Sequence, residues 1–547
     1  MVQKAQVNLS LFSLSCFGVA WGTECGSLAL AFFASTGGYA LFWKALEPVQ
    51  STRKRFYYSF FWFSLVQALQ LSWFPQHEVA RTALWITSFL LITLLGCQWA
   101  LFTLFLPHSR PPSLREAVHL SALWSFLEWI RLLPLGGWSW NPMAMALVAQ
   151  PLGRQLGSWG GILLLSFWIC WTNCITWQQI SSHSFQRPSS RILWLSLLCF
   201  PSLFGFLHSS QSPQSSSMKG YSTLIVNSFL SPEEKETIHP LELWGELMDK
   251  LALFSEEKID LVVLPEGFSP HPLDYLPYEW KESLPLLNRP HIRPPPLFLV
   301  QDWIREKGGT YYFSDGYFAQ VIAYWLQAQV LLGAEEEREN RARLFTPDAP
   351  SSLYYAKRKL VPVGEQIPFS FLRSWARLYG IEDSFLAGTK SHILPTVPPL
   401  VISICYEETF GHFIRLRQLS ASPVELLIHL ANDQWWSPSS SLKAQHLTHG
   451  RLRSVENGLF ALRSCNEGIG VLLTPLGETL SPKMHLEKQT REWLTLSLYH
   501  FCPYSLFAPY SLWGDFFLLP FYLLLLLFIK KENLANINSF SGCGVAW

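Results

Sequence analysis

The first 208 residues of this 547-residue chain hold seven apolar runs, and they decide what the chain can be. They lie near 7–22, 27–43, 57–75, 83–106, 117–134, 157–177 and 192–208, and an eighth follows near 515–529. Crossing a bilayer takes ~20 mostly apolar residues in a helix. The first run is short enough to be read as a signal peptide, but it has no small-x-small cleavage site after it and six further runs follow. It is therefore read as a retained helix.

Lys and Arg orient the bundle, because cytoplasmic loops carry an excess of both. With the N-terminus inside, the inner segments hold Lys4, Lys44, Arg53, Lys54, Arg55, Arg110, Arg115, Arg187, Arg191, Lys530 and Lys531. The outer loops hold Arg81 and Arg154, with Arg131 at a helix end. Seven spans from an inside start place the following domain on the extracytoplasmic face, and the eighth returns the C-terminus inside. The outer loop 133–156 carries Trp138 and Trp140, expected at interfacial depth as an aromatic anchor or a lip in contact with lipid.

The average composition hides this division. Charged residues make up 15% of the chain, against about 25% in soluble proteins, yet residues from about 220 to 500 carry ordinary charge. The net charge of +1 gives no field suited to nucleic acid. Only three of the ten cysteines, Cys405, Cys465 and Cys502, fall in the polar part, too few and too scattered for a disulfide framework or a zinc site.

The expected domains are a seven-helix transmembrane bundle at 1–208, a Ser-rich linker at 209–219, a catalytic domain at 220–505, a final span at 513–530 and a cytoplasmic tail at 531–547. Within the catalytic domain, strand-like runs at 222–226, 261–264, 330–333, 401–404 and 426–430 alternate with helical patterns at 241–256 and 440–458. Such alternation predicts an α/β domain with sheets buried on both faces. The Pro- and aromatic-rich stretch 270–300 is long for a connection and is expected to form a functional flap rather than core.

Three places at strand ends carry reactive groups. Leu261-Val-Val-Leu-Pro-Glu-Gly267 breaks at Pro265 and presents Glu266. Tyr354-Tyr-Ala-Lys-Arg-Lys-Leu-Val-Pro-Val-Gly-Glu365 brings a basic cluster, Lys357 to Lys359, and a carboxylate. Val401-Ile-Ser-Ile-Cys-Tyr-Glu-Glu408 runs a buried-type strand into Cys405. Taken singly, each has a plain reading: a helix cap, a solvated turn, a core thiol. Rival chemistries lack their motifs, since the chain has no G-x-S-x-G, H-E-x-x-H, Walker A or Rossmann glycine pattern. Gln445-His-Leu-Thr-His449 offers two histidines with no third ligand nearby in sequence, so no metal is expected there, and no cofactor is expected anywhere.

Together the three places resemble the nitrilase superfamily, whose order is Pro-Glu, then Lys-x-x-Leu-Val-Pro-x-Gly-Glu, then Ile-Cys-Tyr-Glu. Within it the chain is most similar to the membrane-bound apolipoprotein N-acyltransferases. The resemblance extends to Ala431-Asn-Asp-Gln-Trp-Trp436, to the stretch from Gln445-His446 through Arg451-Leu-Arg-Ser-Val-Glu-Asn457, and to Leu462-Arg-Ser-Cys-Asn-Glu-Gly-Ile469. It implies a polytopic helical bundle of eight spans with an extracytoplasmic nitrilase-like αββα domain, in the inner membrane of a bacterial cell. It also implies a reaction. An acyl chain leaves a phospholipid, typically phosphatidylethanolamine, rests on the enzyme as a thioester, and passes to the α-amine of diacylglyceryl-cysteine in an apolipoprotein.

By the same resemblance, Glu266 is the general base, Lys357 (rather than Lys359) the oxyanion stabiliser and Cys405 the nucleophile. Glu365, Tyr406 and Glu407 are supporting residues. The chain departs from the family at Leu224-Ile-Val-Asn227, at Pro362-Val-Gly-Glu365 and at Glu467, and Trp244 is the sole tryptophan near the position of a functional one. Two alternatives stand beside this reading: a membrane-tethered amidase using the same triad, which would not need seven spans, and a polytopic receptor or transporter. For the latter, intramembrane charge is confined to Glu128 and Arg131 near a helix end.

Overall fold

The computed structural model describes residues 7–23, 26–76, 81–181, 188–211, 220–231, 234, 237–362, 364–367, 369, 371, 373–377, 384–389, 393–415, 426–436, 439–516, 518–519 and 522–523. The chain separates into two compact units. One comprises Met1–Ser212, Val455–Asn457 and Phe507–Trp547, the other Pro213–Ser454 and Gly458–Leu506.

In the first unit each of the seven apolar runs is helical: Leu9–Trp21, Leu28–Phe33 continuing through Tyr39–Leu46, Thr52–Gln70, Arg81–Phe102, Leu114–Ile130, Gly157–Ser181 and Pro188–Ser209. Three stretches, Leu84–Phe105, Gly153–Ser181 and Pro188–Ser209, are long and apolar enough to cross a membrane by length and composition, and Leu9–Trp21 is a shorter apolar helix. The third run starts five residues earlier than expected. Ser51 caps the helix by accepting from Lys54 N, which draws Arg53, Lys54 and Arg55 into its first turn. The second run contains a π-helical turn at Ala34–Gly38. Asn173 serves that turn from the helix Gly157–Ser181, donating to Ser35 O (2.9 Å) and accepting from Ala40 N (3.0 Å).

Glu128, which sequence reading left without a role, is buried. Its carboxylate accepts from Trp124 Nε1 (3.0 Å), Met143 N (2.8 Å) and Ser166 Oγ (2.5 Å). Arg131 donates to Trp140 O (3.0 Å). These bonds pin the loop 133–156 inward. Trp140 is accordingly 6% exposed and packs against Trp73 at 5.3 Å rather than standing out as an anchor. Of the expected last span only 513–516, 518–519 and 522–523 are described. The tail 531–547 and most of the linker 209–219 lie outside the described residues.

The second unit is built on strands in the order Leu353–Ala356, Glu339–Phe345, Gln329–Glu336, Leu261–Val263, Tyr221–Ser228, Ala461–Asn466, Leu426–Asn432, Leu400–Ile404 and Ile393–Leu394. Tyr221–Ser228 meets Ala461–Asn466 only at Ser228 and Asn466, and pairs along its whole length with Leu494–Phe501. The strands therefore form two halves, and alternating side chains show how they stack. Ile225, Leu261, Val263 and Leu331 from one half share a core with Leu400, Ile402, Ile404, Ile428, Leu430 and Leu462 from the other. The opposite face of the first half (Leu224, Val226, Val262, Val330) packs on the helices Pro240–Ala252 and Asp315–Leu326. That of the second half (Val401, Leu427, Ala461) packs on Ile414 and Leu447. Two sheets face to face with helices outside is the αββα sandwich.

The stretch 270–300 is less of a flap than expected. Leu273, Tyr278, Leu286, Leu287 and Ile292 join the core. Its base is tied down by the buried carboxylate of Asp315, which accepts from Tyr278 Oη (2.7 Å), Trp244 Nε1 (2.5 Å) and His271 N (3.0 Å). Trp244 thus has a structural partner. The exposed part is narrower, with Leu297 and Phe298 at 70% and 56%.

Candidate active site

Glu266 follows the strand Leu261–Val263 in a run that keeps pairing with its neighbour, Leu264 N donating to Leu331 O (2.9 Å). Gly333 makes this approach possible. A Cβ there would stand 2.2 Å from Pro265 O and 2.7 Å from Glu266 Cα. Lys357 follows the strand Leu353–Ala356 and is fastened to Asn340 O through its own N–H (2.8 Å). Cys405 follows the strand Leu400–Ile404, opens the tight turn Cys405–Thr409 and has φ +48°. A side chain other than Gly in that region marks a backbone held by its surroundings.

Three of the expected residues are joined directly. Lys357 Nζ donates to Glu266 Oε1 (3.1 Å) and Glu365 Oε1 (2.8 Å), with the lysine 1% and Glu266 5% exposed. Asn340 bridges the same carboxylates, donating from Nδ2 to Glu266 Oε1 (2.7 Å) and Glu365 Oε1 (3.3 Å). Glu365 Oε2 accepts from Val361 N (2.8 Å), which closes the loop on itself. Glu266 Oε2 has no hydrogen-bond partner among the described residues. Lys359 is placed elsewhere, its ammonium 4.6 Å from the Phe410 ring centre.

Burial opposes charge on Lys357, but Glu266 and Glu365 outweigh it and hold the ammonium well above its usual range. Burial also lifts the Glu266 carboxyl, which Lys357 pulls back and Glu365 raises further, for a net rise. Burial pushes the Cys405 thiol far up, Glu266 adds to this, and Lys357 opposes it. These fields join Cys405 to the Glu266–Lys357–Glu365 cluster. The thiol is thus protonated at neutral pH, and a base must take its proton when it reacts.

Glu407 is more than a cap. Its Oε1 accepts from Tyr355 Oη (2.7 Å), Arg358 N (2.7 Å) and Lys359 N (3.0 Å), and its Oε2 from Ile404 N (2.8 Å). One carboxylate therefore fixes the lysine loop to the cysteine turn. Tyr406 packs edge-on against Phe410 at 4.9 Å and is 8% exposed. Cys465 stands two strands from the turn, since Ile404 pairs with Leu430 and Leu430 with Ser464. Two inter-strand steps are about 9–10 Å, beyond the ~7 Å between Cα atoms that a disulfide allows.

Asn340 and the carboxylate Glu408 escaped the sequence reading. The signal for Asn340 was the alternation in Glu339-Asn-Arg-Ala-Arg-Leu-Phe345, whose charges mask a strand. Glu408 Oε2 lies 2.9 Å from Arg463 Nη2 and 3.3 Å from Nε2 of both His429 and His446. One ligand atom each from Glu408, His429 and His446 fall within 4.8 Å of one another, a spacing that could hold a metal ion. Arg463 on Glu408, and Asp433 on His446 (2.8 Å), already balance the charge there.

Two family models match the chain: the Apolipoprotein N-acyltransferase N-terminal domain over residues 17–175 and Carbon-nitrogen hydrolase over residues 318–498. The Apolipoprotein N-acyltransferase of Chlamydia pneumoniae is 25% identical, over 88% of this chain and 90% of its own length. That of Chlamydia caviae is 27% identical, over 86% and 87%. Among solved structures, Saccharomyces cerevisiae Nit3, a member of branch 10 of the nitrilase superfamily, aligns over 58% of this chain and 99% of its own with 15% identity and a TM-score of 0.33. With both family models in order along one chain and relatives matching nearly end to end, the chain belongs to the apolipoprotein N-acyltransferase family of the nitrilase superfamily.

Proposed function

We propose that the protein moves an acyl chain from a phospholipid, with phosphatidylethanolamine the expected donor, to the α-amine of diacylglyceryl-cysteine at the N-terminus of an apolipoprotein. Cys405 carries the chain between the two as a thioester. The observation that carries this reading is the buried Lys357 ammonium held between Glu266 and Glu365 beside the Cys405 turn.

Glu266 takes the thiol proton through Oε2 as sulfur adds to the ester carbonyl. The negative charge then developing on the carbonyl oxygen is met by Lys357, and one such fixed donor is typically worth about 3–4 kcal/mol. The tetrahedral adduct collapses, the ester C–O bond breaks, and Glu266 returns the proton to the departing lysophospholipid oxygen. In the second half the amine adds to the thioester carbonyl, Glu266 accepts its proton, and the C–S bond breaks. The proton passes to sulfur and restores the thiol. Glu365 and Asn340 hold Lys357 and Glu266 in place, while Glu407 and Tyr406 shape the turn. Ping-pong kinetics follow.

The lipid donor accounts for the helical unit. The sequence-based topology of seven spans before the catalytic domain and one after it, oriented by the inner excess of Lys and Arg, supports chemistry on the periplasmic side of a bacterial inner membrane. The test uses purified full-length protein, phosphatidylethanolamine and a diacylglyceryl-cysteine peptide. The peptide is expected to gain the mass of one acyl chain, and a peptide with an acetylated α-amine is expected to gain none. An unchanged mass of the free-amine peptide would contradict the reading.

A further inference from the structure

Glu408 sits three residues past Cys405 in the same turn, and nothing in the mechanism uses it. It is 2% exposed. A carboxylate that deep is costly unless it is paired, and its Oε2, which makes no hydrogen bond among the described residues, is held by ion-pair contacts. Arg463 Nη2 approaches its Oε2 at 2.9 Å from the strand Ala461–Asn466. His429 Nε2 does so at 3.3 Å from the strand Leu426–Asn432, and His446 Nε2 at 3.3 Å from the helix Ser440–Asn457. Three separate elements converge on one oxygen of a residue in the cysteine turn.

Each histidine is itself held at its other nitrogen. His446 Nδ1 meets Asp433 Oδ1 at 2.8 Å. His429 Nδ1 meets Ser403 Oγ at 2.9 Å, and Ser403 is two residues before Cys405. The loop of contacts closes on the turn from both sides of the cysteine. Charged groups facing the cluster are Asp433, Arg463 and the Arg453 guanidinium, with Lys357 acting on His429. Space is reserved as well. Gly450, inside the helix, has Glu408 Oε1 2.6 Å from where a Cβ would stand and Arg463 Cδ at 3.0 Å. A glycine inside a helix costs about 1 kcal/mol against alanine, and here it leaves room for the carboxylate.

The positive φ of Cys405 needs restraint, and Glu407 supplies part of it, at Ile404 N and toward Tyr355, Arg358 and Lys359. Glu408 ties the same turn to a different set of elements. We propose that Glu408, anchored by Arg463, His429 and His446, is a positioning residue for the acyl-transfer reaction: it holds the strained turn so that the Cys405 thiol faces Glu266 and the donor carbonyl. Glu407 and Glu408 thus fasten the nucleophile's turn to two different sets of elements. The proposal rests on the reading of Cys405 as the nucleophile.

The test measures single-turnover formation of the Cys405 thioester from a phospholipid with a labelled acyl chain, in full-length protein, across donor concentration. Glu408→Gln keeps the size and removes the charge. Gly450→Ala keeps every side chain of the cluster chemically unchanged and crowds Glu408 and Arg463. Misplacement of a reacting group by ~1 Å costs about 10²-fold in rate. Both variants are therefore expected to form the thioester about 10²-fold more slowly, with half-saturating donor concentration unchanged. A purely structural role would lower the melting temperature but leave the rate per folded molecule intact, and that result in either variant would overturn the proposal. Should Glu408→Gln fail to fold, Gly450→Ala decides alone. Cys405→Ala, run in parallel, separates the two claims. Label retained there contradicts the nucleophile itself, whereas label lost there with normal rates in the other variants contradicts only the role of Glu408.

Discussion

Burying an ammonium costs several kcal/mol unless carboxylates are within reach, and Lys357 has two, at 3.1 and 2.8 Å. Replacing it with methionine leaves Glu266 and Glu365 facing each other with no cation between them. Lys357→Met is expected to lower kcat by about 10²–10³-fold through loss of the oxyanion donor, read from steady-state transfer to the acceptor peptide. Glu266 gives a prediction in pH. Its carboxyl is raised above the ordinary value by burial, and the proposed general base must be ionised, so activity is expected above that raised pKa and lost as pH falls through it. The acid limb of kcat/KM should therefore lie above pH 4.5, and Glu266→Gln should abolish it together with most of the rate. An acid limb at or below the ordinary glutamate value would contradict this assignment. At this scale the sequence was readable wherever a reactive residue followed a recognisable strand, as with Glu266, Lys357 and Cys405. Asn340 and Glu408 were not readable, because their partners come from segments 25 to 74 and 21 to 55 residues away.

Turns and strands set the geometry that these side chains use. Glu407 joins the lysine loop to the cysteine turn through bonds to Arg358 N and Lys359 N. Hydrogen bonds to a charged group are worth about 1.5–3 kcal/mol each, so Glu407→Gln should free that loop. Faster hydrogen exchange at the amides of Arg358 and Lys359 is the expected sign, and unchanged protection there would contradict the role given to Glu407. Apolar strands such as Leu400–Ile404 and Leu426–Asn432 were legible from their β-branched and leucine runs. The strands Glu339–Phe345 and Ala461–Asn466 were not, since each carries buried arginine that reads as surface until its carboxylate is known: Glu336 for Arg343 at 2.6 Å and Glu408 for Arg463 at 2.9 Å.

The whole molecule pairs a helical unit rich in apolar surface with an α/β sandwich of ordinary charge. Helix positions were legible because lipid-compatible runs need no tertiary partner to be recognised. The inward packing of Trp140 was not, because it depends on Glu128 and Arg131 meeting the loop 133–156. The proposed orientation makes a prediction at this scale. A reporter fused at Gly220 should read out on the extracytoplasmic side, and a cytoplasmic signal would contradict the span count. The central claim is that Cys405 carries the acyl chain, and one measurement bears on it most directly. Purified full-length protein is incubated with a phospholipid whose acyl chain is labelled, without any acceptor, and the label on the protein is followed before and after hydroxylamine. The account predicts a hydroxylamine-sensitive label on the wild type that is absent from Cys405→Ala. No label on the wild type, or an undiminished label on Cys405→Ala, would contradict it.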